Sequence, residues 1–311
     1  MSEPILWVFV GLSGSGKSTM ATQLSQAQPN TDIISTDCIR EELTGDYTNQ
    51  EHNEEVFKIF HNRIRYSLEH KRNVIADATN LTMKSRRSIL QKVNGLNIVK
   101  VCFLFTKPFQ ICKIDNLKRK YPVSEDVLKK QVSRFQIPFI EEGFDEIDII
   151  QHRWEKYKIN MRDLLSLTCD FKQKTPYHTM MLENHCIYTG TLFGDKNIEN
   201  QFLFSDDIKS FCNGASLHDI GKIATQTFDE HGIAHYYNHA EIGSYMVLSL
   251  MKKPFTWSDD DLLDCCFLIN YHMLPFNWDT DKVKQKWKKR FGQYKYNILV
   301  NFHVCDKTRH E

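Results

Sequence analysis

Two groups of residues have types and spacings suited to phosphate chemistry. The first is the unbroken run Gly11-Leu12-Ser13-Gly14-Ser15-Gly16-Lys17-Ser18-Thr19. Glycines let the backbone curl until successive N–H groups converge on anionic oxygens. A helix starting directly after them adds the positive end of its dipole. Lys17 supplies a point charge for a transferring phosphate, and the Ser18 hydroxyl is a Mg²⁺ ligand. The second group is dispersed: His185, the doublet His218-Asp219 with Ile220-Gly221-Lys222 behind it, then His239, His272 and Asp306. Mixed imidazole and carboxylate donors suit a divalent ion such as Mn²⁺, Fe²⁺, Co²⁺ or Ni²⁺. Adjacent His218 and Asp219 point differently, and an aspartate is able to bridge two ions. No cysteine partner accompanies them, which argues against a closed structural zinc site. Open coordination positions then serve water and a substrate phosphate, and paired metals clamp an in-line displacement. Lys222, one turn on, can hold a phosphate oxygen.

The glycine-rich turn lies between an apolar run, Ile5 to Val10, and a stretch in which Met20 and Leu24 fall one helical turn apart. Strand, turn and helix are the context that a P-loop requires. Asp32 to Ser35 reads as a second strand, with Asp37 and Arg40 three residues apart at its carboxyl end. Ligands bind at that end in open α/β sheets, so Asp37 can meet a hydroxyl and Arg40 a phosphate. Asn73 to Asp77 reads as a third strand. Asp77 there supports an arginine or a Mg²⁺-bound water, or else caps the next helix. Arg86 and Arg87 follow on a helix and read as solvated. Asn97 to Phe105 is a fourth strand, and the helix after Pro108 runs into the basic knot Lys118-Arg119-Lys120. A further helix carries Arg134. In P-loop kinases such a helix–loop–helix insertion is a lid whose arginines neutralise transition-state charge. Glu146 to Ile150 completes five strands alternating with helices, hence a parallel sheet with both faces covered.

From Tyr177 onward the strand-like runs give way to Leu, Ile and Phe at helical spacing. Trp154 to Leu167 also has helical spacing, and Lys172-Gln173-Lys174-Thr175-Pro176 is short and polar, a boundary composition. The expected layout is an α/β P-loop domain over residues 1–152, a helical linker over 153–174 and an all-α domain over 175–311. A chain of 311 residues has room for both. Its net charge of +1 gives no global attraction for nucleic acid, so any such site is a local patch. The strongest is Lys282 to Lys295, where Lys284, Lys286, Lys288, Lys289 and Arg290 stand among Trp287, Phe291 and Tyr294. It either tracks a single strand with bases stacked on the rings, or is an amphipathic helix with buried rings and a solvated basic face. No apolar run has the length of a membrane span, and the N-terminus does not read as a signal peptide. Nine cysteines without framework spacing imply reduced thiols and a cytoplasmic setting.

The Gly11 to Thr19 run, the Asp37-x-x-Arg40 pair, the Asp77-Ala78-Thr79-Asn80 segment and the Arg119 loop come in the order seen in phage-type 5′-OH polynucleotide kinases, which the first half resembles. The resemblance implies that Gly11, Ser13, Gly14, Ser15, Gly16, Lys17, Ser18 and Thr19 hold ATP with Mg²⁺. It implies transfer of the γ-phosphate to a 5′-OH of RNA or DNA, with Asp37 as general base. Lys17 and Arg119 would clamp phosphates, and Arg40, Asp77 and Arg134 would contact the acceptor. The second half, through its His-Asp-Ile-Gly-Lys string, resembles the all-helical HD phosphohydrolase superfamily. That makes His185, His218, Asp219 and Asp306 the expected core ligands, with His239 and His272 extending the site to a second ion. Lys222 holds phosphate, and His178 either assists a leaving group or is structural. Proteins joining these modules resemble bifunctional end-healing enzymes. Such an enzyme is a polynucleotide kinase with 2′,3′-cyclic phosphodiesterase and 3′-phosphatase activity, and it prepares broken RNA, tRNA included, for a ligase. Its setting would be the cytoplasm, or the host cytoplasm for a phage-encoded chain. The alternative is a small-molecule or nucleoside kinase fused to an HD nucleotidase.

Overall fold

Strand β1 (Ile5–Val10) is Ile-Leu-Trp-Val-Phe-Val, apolar on both faces, and all but its first residue are buried. That is the composition of a central parallel strand covered by helices on both sides. The structure, a computed structural model, describes residues 3–47, 49, 51–150, 154–175, 180–199 and 208–307. It divides into two units, Met1–Gln131 with Pro138–His152, and Val132–Ile137 with Arg153–Glu311.

The first unit continues with α1 (Lys17–Ala27), β2 (Thr31–Ser35), α2 (Thr36–Thr44), α3 (Asn53–Glu69), β3 (Asn73–Asp77), α4 (Met83–Lys92), β4 (Val99–Phe105), α5 (Phe109–Asn116), α6 (Glu125–Val132) and β5 (Glu146–Ile150). Its five strands form one sheet in the order β2-β3-β1-β4-β5, every pair parallel. The parallel α/β architecture read from the sequence is the one observed, with β4 starting two residues later than expected. Trp7, Phe9, Ile75, Val101 and Phe105 pack with Ala21 of α1, and Met20 and Leu24 lie against that cluster. Burial of these side chains holds α1, and therefore the turn before it, at the carboxyl end of β1. The expected segments after β2 and β3 emerge at the same edge of the sheet, as parallel pairing demands.

In the second unit the elements are α7 (Met161–Ser166), α8 (Leu182–Glu199), α9 (Ile208–Ala215), α10 (Lys222–Thr225), a ribbon of β6 (Thr227–Phe228) and β7 (Ala234–His235), α11 (His239–Leu250), α12 (Asp259–Tyr271) and α13 (Asp281–Lys307). The ribbon, with isolated bridges between Ile159 and Met251 and between Lys172 and Met181, departs from an all-helical reading. Helix α12 buries nine of its 13 residues and packs between α9 and α11. Segment 132–137 belongs here because its side chains and backbone are anchored in this unit. Phe135 and Ile137 are fully buried. Asn270 accepts from Ile137 N and donates to the Phe135 carbonyl, each at 3.0 Å, and the Tyr271 hydroxyl donates to the Ile137 carbonyl at 3.0 Å. Helix α13 is broken at Gly292, whose φ of 74° and ψ of 164° interrupt the helical path. All nine cysteines are free. Among the described residues no helix is long and apolar enough to cross a membrane.

Candidate functional site

The first centre is built on the turn between β1 and α1. Gly16 has φ 100°, and α1 begins without a side-chain cap, so its first amides are left to face the loop. Gly14 has φ +79°, and a Cβ there would lie 2.3 Å from the Cys112 carbonyl oxygen. Gln131 of α6 accepts from Ser13 N at 2.8 Å and donates to Ser13 Oγ at 2.9 Å. Lys107 donates to the Gly14 carbonyl at 2.9 Å. The loop is therefore held from both sides. Lys17 is buried and donates to the carbonyls of Gly11 and Leu12 at 3.0 and 2.8 Å. An ammonium has three donors, so one remains for a phosphate oxygen. Burial lowers the Lys17 pKa, with Asp77 opposing the shift.

Asp77, at the end of β3, accepts from Ser18 Oγ at 2.9 Å. It does not cap a helix, since α4 takes Thr82 as its cap. Burial pushes the Asp77 carboxyl up, and Lys17 and Ser18 offset this only in part. A divalent cation at this hydroxyl–carboxylate pair relieves that penalty, so the residues fit Mg²⁺.

Ser35 ends β2 and caps α2 by accepting from Asp37 N at 3.3 Å. Asp37 then sits within a small network. Arg40 Nη1 reaches its Oδ1 at 3.0 Å, and the Tyr47 hydroxyl donates to its Oδ2. Arg119 Nη2 donates to the Tyr47 oxygen at 2.6 Å and lies 3.7 Å from Asp37 Oδ2. Burial and the bond to Asp37 raise the Tyr47 phenol well above its ordinary value. Tyr47 also stacks on Tyr121, with ring centroids 5.1 Å apart. Asn116 clips the basic loop shut, donating to the Val123 carbonyl at 2.8 Å and accepting from Val123 N at 3.2 Å. Arg40 is 6% exposed and its Nη2 donates to Asn53 Oδ1 at 3.1 Å, while its buried Nε has no acceptor. It orients Asp37 and has further N–H donors for an anion.

Two expected placements differ. Arg134 is not carried on a helix: α6 ends at Val132, and Arg134 follows in an exposed turn of segment 132–137, which belongs to the second unit. Arg86 is not solvated but fully buried, donating to both Glu142 oxygens at 2.9 and 2.5 Å and to the Asn80 carbonyl at 3.2 Å. Nothing in the sequence marks Tyr47, a tyrosine in a loop, as part of this centre.

The second centre gathers His185 from α8, His218 and Asp219 from the turn after α9, His239 at the start of α11, His272 just past α12 and Asp306 near the end of α13. All six are buried. Asp219 divides its two oxygens. Its Oδ2 lies 3.2 Å from His218 Nε2, 3.5 Å from His185 Nε2 and 2.6 Å from Lys222 Nζ. Its Oδ1 lies 3.2 Å from His239 Nε2 and 3.7 Å from His272 Nε2. Asp306 Oδ1 lies 3.3 and 3.6 Å from His185 and His218. It is buried without a donor in hydrogen-bonding geometry. Two metal-compatible sets result, His185-His218-Asp219 and Asp219-His239-His272.

The imidazole tautomers strengthen this assignment. His218, His239 and His272 each place Nδ1 2.8 Å from a backbone carbonyl, of Ala215, Tyr236 and Ile269 respectively. A carbonyl only accepts, so each Nδ1 carries the proton and each neutral ring presents a lone pair at Nε2. His239 and His272 nevertheless bring their Nε2 atoms to 3.2 Å. Two lone pairs at that distance repel unless a proton or a metal ion sits with them. Burial, reinforced by any charge on His218 and His239, pushes His272 down to about 3 and so favours its neutral, ligating form. Burial acts against charge on His218, but Asp219 and Asp306 outweigh it and raise its pKa well above the usual value. Both carboxyls are held well below the usual range despite burial, Asp219 mainly by Lys222 and His218, Asp306 by His185 and His218. A field that draws a proton onto this cluster draws a divalent cation equally, and the donor set fits one or two such ions.

Backbone contact makes the geometry possible. A Cβ at Gly221 would fall 2.0 Å from the His239 carbonyl oxygen and 2.7 Å from Gly243 N. Only glycine lets the Asp219 turn touch the start of α11. Gln173, read in sequence as part of a polar boundary, is 2% exposed and accepts from Lys222 Nζ at 2.8 Å. The Tyr236 hydroxyl donates to its carbonyl. Of the other histidines, His235 pairs with Asp229 at 3.1 Å away from the cluster, and His178 lies outside the described residues.

Residues 6–138 match a family model described as an AAA domain. The L-seryl-tRNA(Sec) kinase of Methanococcus maripaludis is 29% identical over 161 residues, or 50% of this chain and 62% of that protein. The chain thus spans less than two thirds of that relative's length. A chain of the Pnkp1/Rnl/Hen1 RNA repair complex is 22% identical with a TM-score of 0.39, over 43% of this chain and 44% of its own. A fungal RNA kinase is 15% identical with a TM-score of 0.38, over 70% and 50%. Those structural likenesses are too distant to assign a role to any residue. The first unit is a parallel-sheet α/β domain of P-loop kinase-like architecture.

Proposed function

We propose that this chain is a bifunctional nucleic-acid end-healing enzyme, an ATP-dependent 5′-OH polynucleotide kinase joined to an HD-type phosphohydrolase acting on 2′,3′-cyclic and 3′-phosphate ends. One observation carries the proposal. The glycine-rich cradle with its Asp37 network shares a chain with Asp219, a carboxylate offering each oxygen to a separate pair of imidazoles.

ATP supplies the γ-phosphoryl group, and divalent ions supply Lewis acidity and a more acidic bound water. In the first centre Asp37 takes the proton of the acceptor hydroxyl, and Arg40 fixes its carboxylate in place. Lys17 and Arg119 stabilise charge growing on the transferred group. In the second centre His185, His218, Asp219 and Asp306 would hold one ion, and Asp219, His239 and His272 would hold a second. Lys222 keeps Asp219 ionised and stands ready for a phosphoryl oxygen. The combined products, a 5′-phosphate and a 3′-OH, are what a ligase consumes, so RNA ends and a ligase are the expected partners.

The experiment is a pair of variants. Asp37→Asn should abolish 5′ phosphorylation and leave 3′-end hydrolysis intact, whereas Asp219→Ala should do the reverse. Loss of both activities in either variant, or of neither, contradicts two independent centres. A second reading rests on the seryl-tRNA kinase relative, in which the acceptor hydroxyl is borne by an aminoacyl-tRNA. Phosphorylation of seryl-tRNA in preference to a 5′-OH oligonucleotide would favour it.

A further inference from the structure

The first eleven residues of α13 carry a concentration of positive charge that neither centre uses. Lys282, Lys284, Lys286, Lys288, Lys289 and Arg290 are six cations within nine positions, and no acidic residue occurs between Asp281 and Asp306. The five lysines are exposed. None of them forms an ion pair among the described residues, whereas Lys295, beyond the break, is bound to Asp264 at 3.3 Å. For a chain with a net charge of +1 this is a strong local departure. Unpaired like charges on one short helix repel each other and are tolerated at a cost in stability, which a polyanion removes.

The rings beside these cations are already engaged. Trp278 stacks on Tyr296 at 4.8 Å and on Trp287 at 6.4 Å, and Trp287 stacks on Phe291 at 5.1 Å. Arg290 and Lys286 lie over Trp287 at 5.0 and 5.7 Å. The aromatic column anchors the helix and presents its lysines outward. Arg290 and Asp306 stand on this same element, so the basic turns and the second centre share one segment of chain.

We propose that the exposed lysines of α13, Lys282 to Lys289, form an electrostatic track for the phosphate backbone of a single RNA strand whose terminus is processed in the second centre. The inference deepens the polynucleotide reading and rests on it. Because the rings face each other, binding is independent of base sequence. Counterion release sets its size: each lysine that neutralises a phosphate contributes roughly 0.7 to the slope of log affinity against log salt.

The test is fluorescence anisotropy with a labelled single-stranded RNA across a salt series, using the full chain. Lys284→Glu, Lys286→Glu and Lys288→Glu together should weaken binding at least about tenfold and lower the slope by about 2. The corresponding triple Gln variant should give a smaller loss in the same direction, and it decides the question if the Glu variant does not fold. Unchanged melting temperature and metal content in the Gln variant separate the effect from damage to the helix. Variants that bind as tightly as wild type, with the same slope, overturn the track while leaving the polynucleotide reading standing. A wild-type protein that binds no RNA at low salt overturns both. Displacement by polyglutamate as readily as by RNA assigns the face to an acidic protein and also overturns the proposal.

Discussion

Tyr47→Phe removes one oxygen from the first centre and leaves the ring stacked on Tyr121. That oxygen donates to Asp37 Oδ2 and accepts from Arg119 Nη2 at 2.6 Å. An acceptor hydroxyl that gives its proton to Asp37 has to displace this phenol. A hydrogen bond to a charged partner contributes about 1.5–3 kcal/mol, so giving it up opposes acceptor binding by that order. Water restores part of the loss, and the lower figure corresponds to roughly a tenfold change in affinity. In the Phe variant the KM for a 5′-OH oligonucleotide should therefore fall about tenfold. The kcat and the KM for ATP should stay as in wild type. The assay is transfer of labelled γ-phosphate at varied oligonucleotide concentration. An unchanged acceptor KM with a lowered kcat would refute the reasoning and make Tyr47 a group that positions Asp37 for the chemistry.

Two further outcomes follow from packing. Arg86→Met strands the Glu142 carboxylate, whose side chain is 0% exposed, and should cost about 3–5 kcal/mol in urea unfolding of the first unit. Adding Glu142→Leu should recover most of that loss, and a single variant as stable as wild type would contradict a structural ion pair. Gly221→Ala places a methyl group against the His239 carbonyl and should lower bound transition metal, measured by mass spectrometry of the desalted protein. Full metal content in that variant would show that the turn after α9 and the start of α11 need not touch.

Much of the first unit is legible because its signals are local. The P-loop run announces itself between an apolar strand and a helix, and Asp37 and Arg40 lie within one turn of each other. The sheet order β2-β3-β1-β4-β5 is not local and cannot be read from strand patterns. Arg86 reads as solvated for the same reason: its partner Glu142 is 56 residues away, and an arginine on a polar helix usually faces water. Arg134 follows Phe135 and Ile137 into the second unit, a choice made by the side chains of Asn270 and Tyr271. In the second unit the six clustered side chains come from five separate segments, so no spacing rule reveals that they meet. Only the His-Asp-Ile-Gly-Lys string and the family resemblance it carries point there. Gln173 reads as linker because it sits in a short polar stretch before a proline, although its amide lies against Lys222.

The central claim is that two phosphoryl centres in one chain act on the two ends of a broken strand. The most direct measurement offers the protein, with ATP, Mg²⁺ and Mn²⁺ or Ni²⁺, an RNA that has a 5′-OH at one end and a 2′,3′-cyclic phosphate at the other, and then identifies both termini. The account predicts a 5′-phosphate and a 3′-OH on the same molecule. A cyclic end left intact by metal-loaded protein, or a 5′-OH left unphosphorylated while ATP is consumed on another acceptor, would contradict it.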